Sequence, residues 1–188
     1  MEENNFDKVG KKNFWRELLE IIIFTAIIVI PIQVYIGRTF IVVGDSMYPT
    51  FHNSDYLVVD KLTYHFNEPQ RGDVIVFHPP TNIKTYFIKR IIGLPGENIF
   101  VEHDKVTIVN KDHPEGIEIK MPIELPKGEI DKALELADDE YFVMGDNRAE
   151  SFDSRSWGAL PRKNISGRVF LRLLPFNNIG VWPGELNL

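Results

Sequence analysis

The chain has 188 residues, of which 44% are hydrophobic and 26% charged, which fits one globular domain with a modest addition and excludes wholesale disorder. Lys and Arg number 21 against 27 Asp and Glu, a formal net charge of -6, which argues against a nucleic-acid module carried by a basic excess. Cysteine is absent, so disulfide scaffolds, thiolate metal sites and cysteine nucleophiles are excluded.

The first element is apolar. Ile21 to Gly37 carries no charge, and Leu18 and Leu19 extend the run with Glu20 as an interruption. Such a run reaches the short end of the roughly 17–25 residues that a bilayer span needs. Trp15 and Tyr35 lie where interfacial aromatics are expected, and Pro31 is better tolerated in a membrane helix than in a soluble one. Lys8, Lys11, Lys12 and Arg16 precede the run, whereas Arg38 alone follows it closely. Basic residues stay on the cytoplasmic side, so the pattern predicts a single-pass anchor in the cell membrane with a cytoplasmic N-terminus and an extracytoplasmic remainder. A cleavable signal peptide and a buried core helix are the alternatives; no small-x-small cleavage site follows the run.

Beyond the anchor, short β-branched and aromatic runs alternate with Gly, Pro, Asn and Asp. The predicted strands are Phe40–Val43, Tyr56–Val59, Asp73–Phe77, Thr85–Ile92, Asn98–Val101, Val106–Val109, Glu140–Met144 and Val169–Leu174. The short connections predict a mainly β, antiparallel domain behind an N-terminal transmembrane helix. Residues 110–139 are charge-rich, hold Pro114, Pro122 and Pro126, and include a helix-compatible piece at Glu129–Leu136. The resulting organisation is a cytoplasmic tail (1–17), an anchor (18–37), a first core part (38–109), an insertion or small subdomain (110–139) and a second core part (140–188).

Three segments carry candidate chemistry. In Gly44-Asp45-Ser46-Met47-Tyr48-Pro49-Thr50 a serine sits in a Gly/Pro-bounded turn, where its hydroxyl can face a cleft and neighbouring N–H groups can hold an oxyanion. A plain turn gives the same pattern. In the strand around Lys89, alternation puts Phe87, Lys89 and Ile91 on one face and Ile88, Arg90 and Ile92 on the other. Apolar neighbours disfavour a charged ammonium, and a neutral lysine can take a proton from a serine; a lysine that snorkels to water is the alternative. The stretch from Gly145 to Gly158, GDNRAESFDSRSWG, is dense in turn formers and paired charges, with Phe152 and Trp157 arguing for burial.

These segments in this order, GDSMYPT, DYLVVDKL, RGDVIVF, YFIKRIIGLPGE and GDNRAESFDSRSWG, resemble type I signal peptidases, the membrane-anchored Ser/Lys endopeptidases that remove signal peptides from exported proteins. The resemblance covers residues 44 to 158 and fits the anchor as well. It implies that Ser46 is the nucleophile and Lys89 the general base, with Met47 beside the nucleophile. It further implies that Ser151 orients the lysine, that Asp153 and Arg155 shape the site through ion pairs, and that Arg90 and Asp146 brace the lysine strand against the last loop. One departure stands out. Some family members carry a hydroxyl residue two positions before the nucleophile as an oxyanion donor; here that position is Gly44.

The implied reaction proceeds through an acyl-enzyme and needs no metal or organic cofactor. Its partners are signal-peptide-bearing preproteins and the lipid bilayer, with no nucleic acid. A histidine-based hydrolase would draw on His52, His65, His78, His103 or His113, but the chain has no G-x-S-x-G elbow. A metalloprotease lacks its H-E-x-x-H signature. Two other readings are a Ser/Lys protease with a dedicated substrate and a membrane-tethered β-domain that binds exported peptides without cutting them.

Overall fold

The computed structural model describes residues 6–31, 37–102, 105–119 and 131–186. The chain divides into two compact units, Met1–Gly37 and Arg38–Leu188.

The first unit is the helix α1 (Phe6–Pro31). Arg16 Nε donates to Glu20 Oε1 at 2.9 Å, one turn apart on its surface. The apolar side chains of Ile21, Ile22, Ile23 and Phe24 are all exposed. Four consecutive residues at 100° intervals point around most of the circumference, so the apolarity is not confined to a stripe. No helix among the described residues is long and apolar enough to cross a membrane. The apolar run expected to span the bilayer continues past Pro31 into positions 32–36, which lie outside the described residues.

The second unit is mainly β. Its strands are β1 (Arg38–Ile41), β2 (Tyr56–Asp60), β3 (Val74–Phe77), β4 (Phe87–Gly93), β5 (Asn98–Glu102), β6 (Lys105–Val109), β7 (Ile117–Glu118), β8 (Lys132–Glu135), β9 (Glu140–Met144), β10 (Leu160–Pro161), β11 (Ile165–Leu174) and β12 (Gly180–Val181), with single-turn helices α2 (Thr63–Phe66) and α3 (Ser154–Trp157). Among the described residues the larger sheet runs β1-β2-β11-β3-β4-β9-β10, with β12 on β11; the smaller runs β7-β6-β5-β8. Every strand pairing is antiparallel.

The larger sheet is covered on both faces, and β3 shows why its sequence is apolar throughout. Val74 and Val76 join Met47, Phe51, Leu57 and Val59 in one buried cluster. Ile75 and Phe77, pointing to the opposite face, join Ile91, Tyr141, Val143 and Leu160 in another. A third cluster, with Ile92, Phe142 and Met144 from β4 and β9, packs against Ile99, Val101, Val106 and Ile108 of the smaller sheet.

The smaller sheet begins at Asn98, ahead of the stretch 110–139, and returns to the larger sheet through β8. Residues 120–130 lie outside the described residues. The helix-compatible piece at Glu129–Leu136 is instead the strand β8 from Lys132 to Glu135, paired with β5. Its helix-forming residues are overridden by a free strand edge and by the packing of Leu134 against the third cluster.

One glycine sets the spacing of the central strands. A Cβ on Gly167 of β11 would fall 2.3 Å from the Asp60 carbonyl oxygen of β2, against rigid backbone, whereas a Cβ on Gly180 meets nothing within 4 Å. Gly167→Ala is therefore expected to lower unfolding free energy by roughly 1–3 kcal/mol, the usual size of an overpacking penalty. Gly180→Ala should stay within about 0.5 kcal/mol of the parent. Denaturant melts of the two variants check the difference.

Candidate active site

The nucleophile turn leaves the sheet directly after β1. Val42 N–H donates to the Asp55 carbonyl and Ser54 N–H to the Val42 carbonyl, both at 2.9 Å, so the pairing of β1 with β2 continues to the edge of the turn. Gly44 has φ +87, a left-handed conformation that an L side chain rarely takes. Its N–H donates to Asn53 Oδ1 at 3.0 Å, and Tyr48 N–H closes the turn onto the Asp45 carbonyl at 3.0 Å. Met47 is 1% exposed and belongs to the core. It pins the turn from below while Ser46 stays half-exposed.

Lys89 lies in β4, opposite Ile75 of β3. It is 4% exposed. Its Nζ donates to Ser46 Oγ at 2.6 Å and to the Ile88 carbonyl at 2.8 Å; once the amine is neutral, the serine hydroxyl can donate instead. The Phe87 ring centroid is 5.5 Å from Nζ. Burial lowers the Lys89 pKa from 10.5 to about 8, against the pull of the Asp153 and Asp146 charges and with help from Arg155. The amine is thus poised to lose its proton near neutrality.

The third segment arrives by strand register. Met144 of β9 stands opposite Arg90 of β4, so the chain leaving the sheet delivers Asp146 to the Arg90 guanidinium. The pair is bidentate, Nε to Oδ1 at 2.8 Å and Nη2 to Oδ2 at 2.6 Å, and both residues are fully buried. Arg90 also donates to the Gly72 carbonyl at 2.9 Å and to the Gly184 carbonyl, while Thr50 donates its hydroxyl to Asp146. Three other stretches of chain are tied to the Arg90 side chain, and a fourth, through Thr50, to its Asp146 partner.

Asp153 and Arg155 form a second bidentate pair, with both contacts at 2.9 Å and both side chains at or below 1% exposure. Burial works to raise the Asp153 carboxyl, but the hydrogen bonds and charge of Arg155, with the Gly145 N–H at 3.0 Å, outweigh it and hold the pKa below the usual range. Asp153 also caps α3 by accepting from Arg155 N–H, and Arg155 reaches the Arg148 carbonyl at 2.7 Å.

Ser151 is buried against Gly145 and makes no hydrogen bond of good geometry, though it lies close enough to Asp153 to help hold that carboxyl down. Phe152, expected to be buried, is 53% exposed and forms part of the cleft wall. Trp157 packs on the core beside Phe77, with ring centroids 6.0 Å apart.

Sequence reasoning passed over several positioning groups. A Cβ on Gly145 would fall 2.2 Å from Ser151 Oγ and 2.4 Å from the Ser46 carbonyl oxygen, so only glycine lets the two loops meet. Asn147 N–H donates to the Ser46 carbonyl at 3.1 Å. Asn53 and Thr50 hold the nucleophile turn from its other side. Asn53, Thr50, Gly145 and Asn147 all lie within or beside turn-rich segments, but nothing in their spacing marks what they bind.

The histidines take other partners. His52 meets Tyr48 edge-on at 5.3 Å, His65 bonds the Lys61 carbonyl and His78 the Thr85 carbonyl, each at 2.9 Å. His113 faces Glu115 at 3.8 Å, and His103 lies outside the described residues. No group of three or more His, Asp or Glu side chains able to hold a metal occurs among the described residues.

A cleft of about 450 Å³ opens beside Ser46 and Lys89. Phe40, Ile41, Val42 and Val43 form one wall, the segment from Thr85 to Ile88 another, and Glu150 with Phe152 the rim. An apolar groove that ends on a hydroxyl bonded to a depressed-pKa amine is equipped for nucleophilic attack on a bound carbonyl.

The family model described as signal peptidase, peptidase S26, matches residues 15–174. A signal peptidase I of Leptolyngbya laminosa is 37% identical over 163 residues, covering 83% of this chain and 78% of that protein. Signal peptidase I T of Bacillus subtilis is 30% identical over 194 residues, covering 93% and 94%. A crystal structure of a signal peptidase I from Enterococcus faecalis V583 is 28% identical with a TM-score of 0.43, covering 54% of this chain and 97% of that one. The chain belongs to the signal peptidase, peptidase S26, family.

Proposed function

We propose that this protein is a serine endopeptidase that removes signal peptides from exported preproteins, with Ser46 as nucleophile and Lys89 as general base. The observation that carries the assignment is the 2.6 Å contact between a buried amine and a hydroxyl at the end of an apolar cleft. Neutral Lys89 takes the proton as Ser46 Oγ attacks the scissile carbonyl. The Ser46 N–H faces the developing oxyanion; a single such donor is typically worth about 2.7–4 kcal/mol. Gly44 N–H is already engaged with Asn53, and position 44 has no hydroxyl to offer. The protonated Lys89 then gives its proton to the leaving amine, and the acyl-enzyme remains. Lys89 next deprotonates a water, which releases the acid and restores the serine.

In this reading Ser151 orients Lys89 without a hydrogen bond to it, Arg90 and Asp146 brace the lysine strand against the last loop, and Asp153 and Arg155 shape the site through their ion pair. β1 is an edge strand next to the cleft, so an extended substrate can pair with main chain while its small side chains enter the apolar walls. The non-cleaving reading leaves unexplained why a lysine should be buried at its cost against a serine.

The site works at the outer face of the cytoplasmic membrane, with residues 1–17 inside, 18–37 as a single-pass anchor, and two core parts, 38–109 and 140–188, separated by 110–139. The support is the uncharged run Ile21–Gly37, its basic N-terminal flank, and the exposed apolar circumference of α1. Substrates are held in the bilayer by their own apolar segments, so anchoring both raises their effective concentration.

Ser46→Ala and Lys89→Ala should each abolish release of mature chain from a preprotein while leaving the melting curve of a folded protein. Lys89→Arg should be equally inactive, because a guanidinium stays charged. Near-normal turnover by either lysine variant would refute the dyad.

The rate should climb with pH as the amine loses its proton, with a midpoint at about 8 and a value about tenfold below the plateau one pH unit lower. A kcat/KM profile between pH 6 and 9.5, which reports the free enzyme, reads this directly.

Stability follows the same proton with a definite sign. The folded pKa is depressed, so the unfolded chain binds more protons between about pH 8 and 10.5, and stability rises with pH across that window. Below it the penalty is constant. Lys89→Met should therefore be more stable than the parent at pH 7 by roughly 1–3 kcal/mol, with the gain shrinking toward pH 10.5. Denaturant titrations at the two pH values test it.

A further inference from the structure

Among the described residues lining the cleft beside Ser46, all but three are apolar side chains, threonine or tyrosine: the exceptions are Ser46, Lys89 and Glu150. Lys89 is buried and bonded to Ser46, so Glu150 is the one exposed ionisable side chain of acid or base type among the described lining residues. Its place is fixed by the backbone. Glu150 N–H donates to the Asn147 carbonyl at 3.2 Å, and Asn147 N–H in turn bonds the Ser46 carbonyl at 3.1 Å. A short chain of main-chain contacts therefore ties the position of Glu150 to that of the nucleophile.

The Glu150 carboxylate takes no hydrogen bond or ion pair among the described residues, and the residue is exposed at the rim. The nearby cations are already committed. Arg155 is paired with Asp153 and Arg90 with Asp146. Arg38, beyond the far wall, donates to the Tyr86 hydroxyl at 2.9 Å. Asp45, exposed next to Ser46, is not part of the lining. An unpaired carboxylate above an apolar groove acts on whatever charge a bound peptide places there, and low-dielectric walls on the other side lessen the screening.

We propose that Glu150 is a specificity-determining residue that reads charge on the substrate, favouring a basic side chain and disfavouring an acidic one at a residue bordering the small residues that precede the cut. This specificity rests on the Ser46/Lys89 peptidase reading. The apolar walls select size close to the scissile bond; Glu150 adds a second criterion at a residue whose side chain leaves the groove. Discrimination of this kind is a difference between two affinities, and a like charge placed opposite counts as much as the favourable one.

The test uses the full-length protein in detergent micelles and a set of preprotein-derived peptides. Lys, Ala or Glu is placed in turn at each of the six positions before the cut and the two after it. With the parent enzyme, one position should show a Lys-over-Glu preference in kcat/KM of about five- to tenfold, the scale of a partly screened ion pair plus the matching repulsion. Glu150→Gln should bring that ratio close to one, and Glu150→Lys should invert it. Asp45→Asn should leave it in place. Raising the salt from 50 to 500 mM should shrink the ratio in the parent and not in Glu150→Gln, a response that a purely structural role would not give.

If the parent cleaves the peptides but no position shows a charge preference that moves with Glu150, the inference is overturned and the peptidase reading stands. If the parent cleaves none of them, or Ser46→Ala cleaves as well as the parent, the peptidase reading fails and takes the inference with it.

Discussion

A lysine amine held out of water beside a serine hydroxyl is the constraint around which the second unit is arranged. Burial alone destabilises the ammonium, and two carboxylates close by, Asp153 and Asp146, work in the opposite direction by attracting a positive charge. Left unpaired, they would favour the charged ammonium more strongly. Each is instead locked to a guanidinium in a buried bidentate pair. Such pairs contribute little net stability once desolvation is counted. Here they serve a different end: they let acidic residues brace the loop 145–155 without recharging Lys89.

The geometry of the site follows from strand register more than from loop conformation. β4 carries Lys89 and Arg90 on opposite faces, so one strand presents an amine to Ser46 and a guanidinium to Asp146. β9 ends opposite Arg90, which sets where the chain turns away as Gly145-Asp146. β1 ends where Val42 bonds the Asp55 carbonyl, which sets where the nucleophile turn begins. The ends of β9 and β1 and the middle of β4 therefore converge on the site. A one-residue slip in either pairing would point Lys89 or Asp146 to the wrong face.

Much of this was legible in the chain. Alternation placed Phe87, Lys89 and Ile91 together because β4 is regular there, and the strand Glu140–Met144 has the limits its sequence suggests. Short strands escaped: Ile117–Glu118, Leu160–Pro161 and Gly180–Val181 are too brief to show a period. Lys132–Glu135 carries helix formers and is a strand because β5 offers an edge for it. In the site, Ser46 and Lys89 stand out only through the ordered motifs that hold them, since a turn serine or a strand lysine alone reads as plain structure. Supports such as Gly145 and Asn147 do not, since they act through a missing Cβ and a backbone N–H that every sequence has. Gly44 is intermediate: its lack of a hydroxyl is plain in the sequence, but the diversion of its N–H to Asn53 is a matter of geometry.

The cleft makes binding and chemistry parts of one arrangement. Phe87 and Ile88 line the groove that takes the substrate, and they also flank the Lys89 amine, whose Nζ bonds the Ile88 carbonyl and lies over the Phe87 ring. A peptide laid along the groove displaces water from the same walls. The amine then loses solvation, and desolvation is the leading cause of its low pKa. Filling the cleft thus favours the neutral amine, which on the proposed Ser46/Lys89 dyad is the form needed when a carbonyl reaches Ser46. A substitution that loosens the wall acts twice, once through fit and once through the proton on Lys89, so kcat and KM change together even for residues that never touch the reacting atoms.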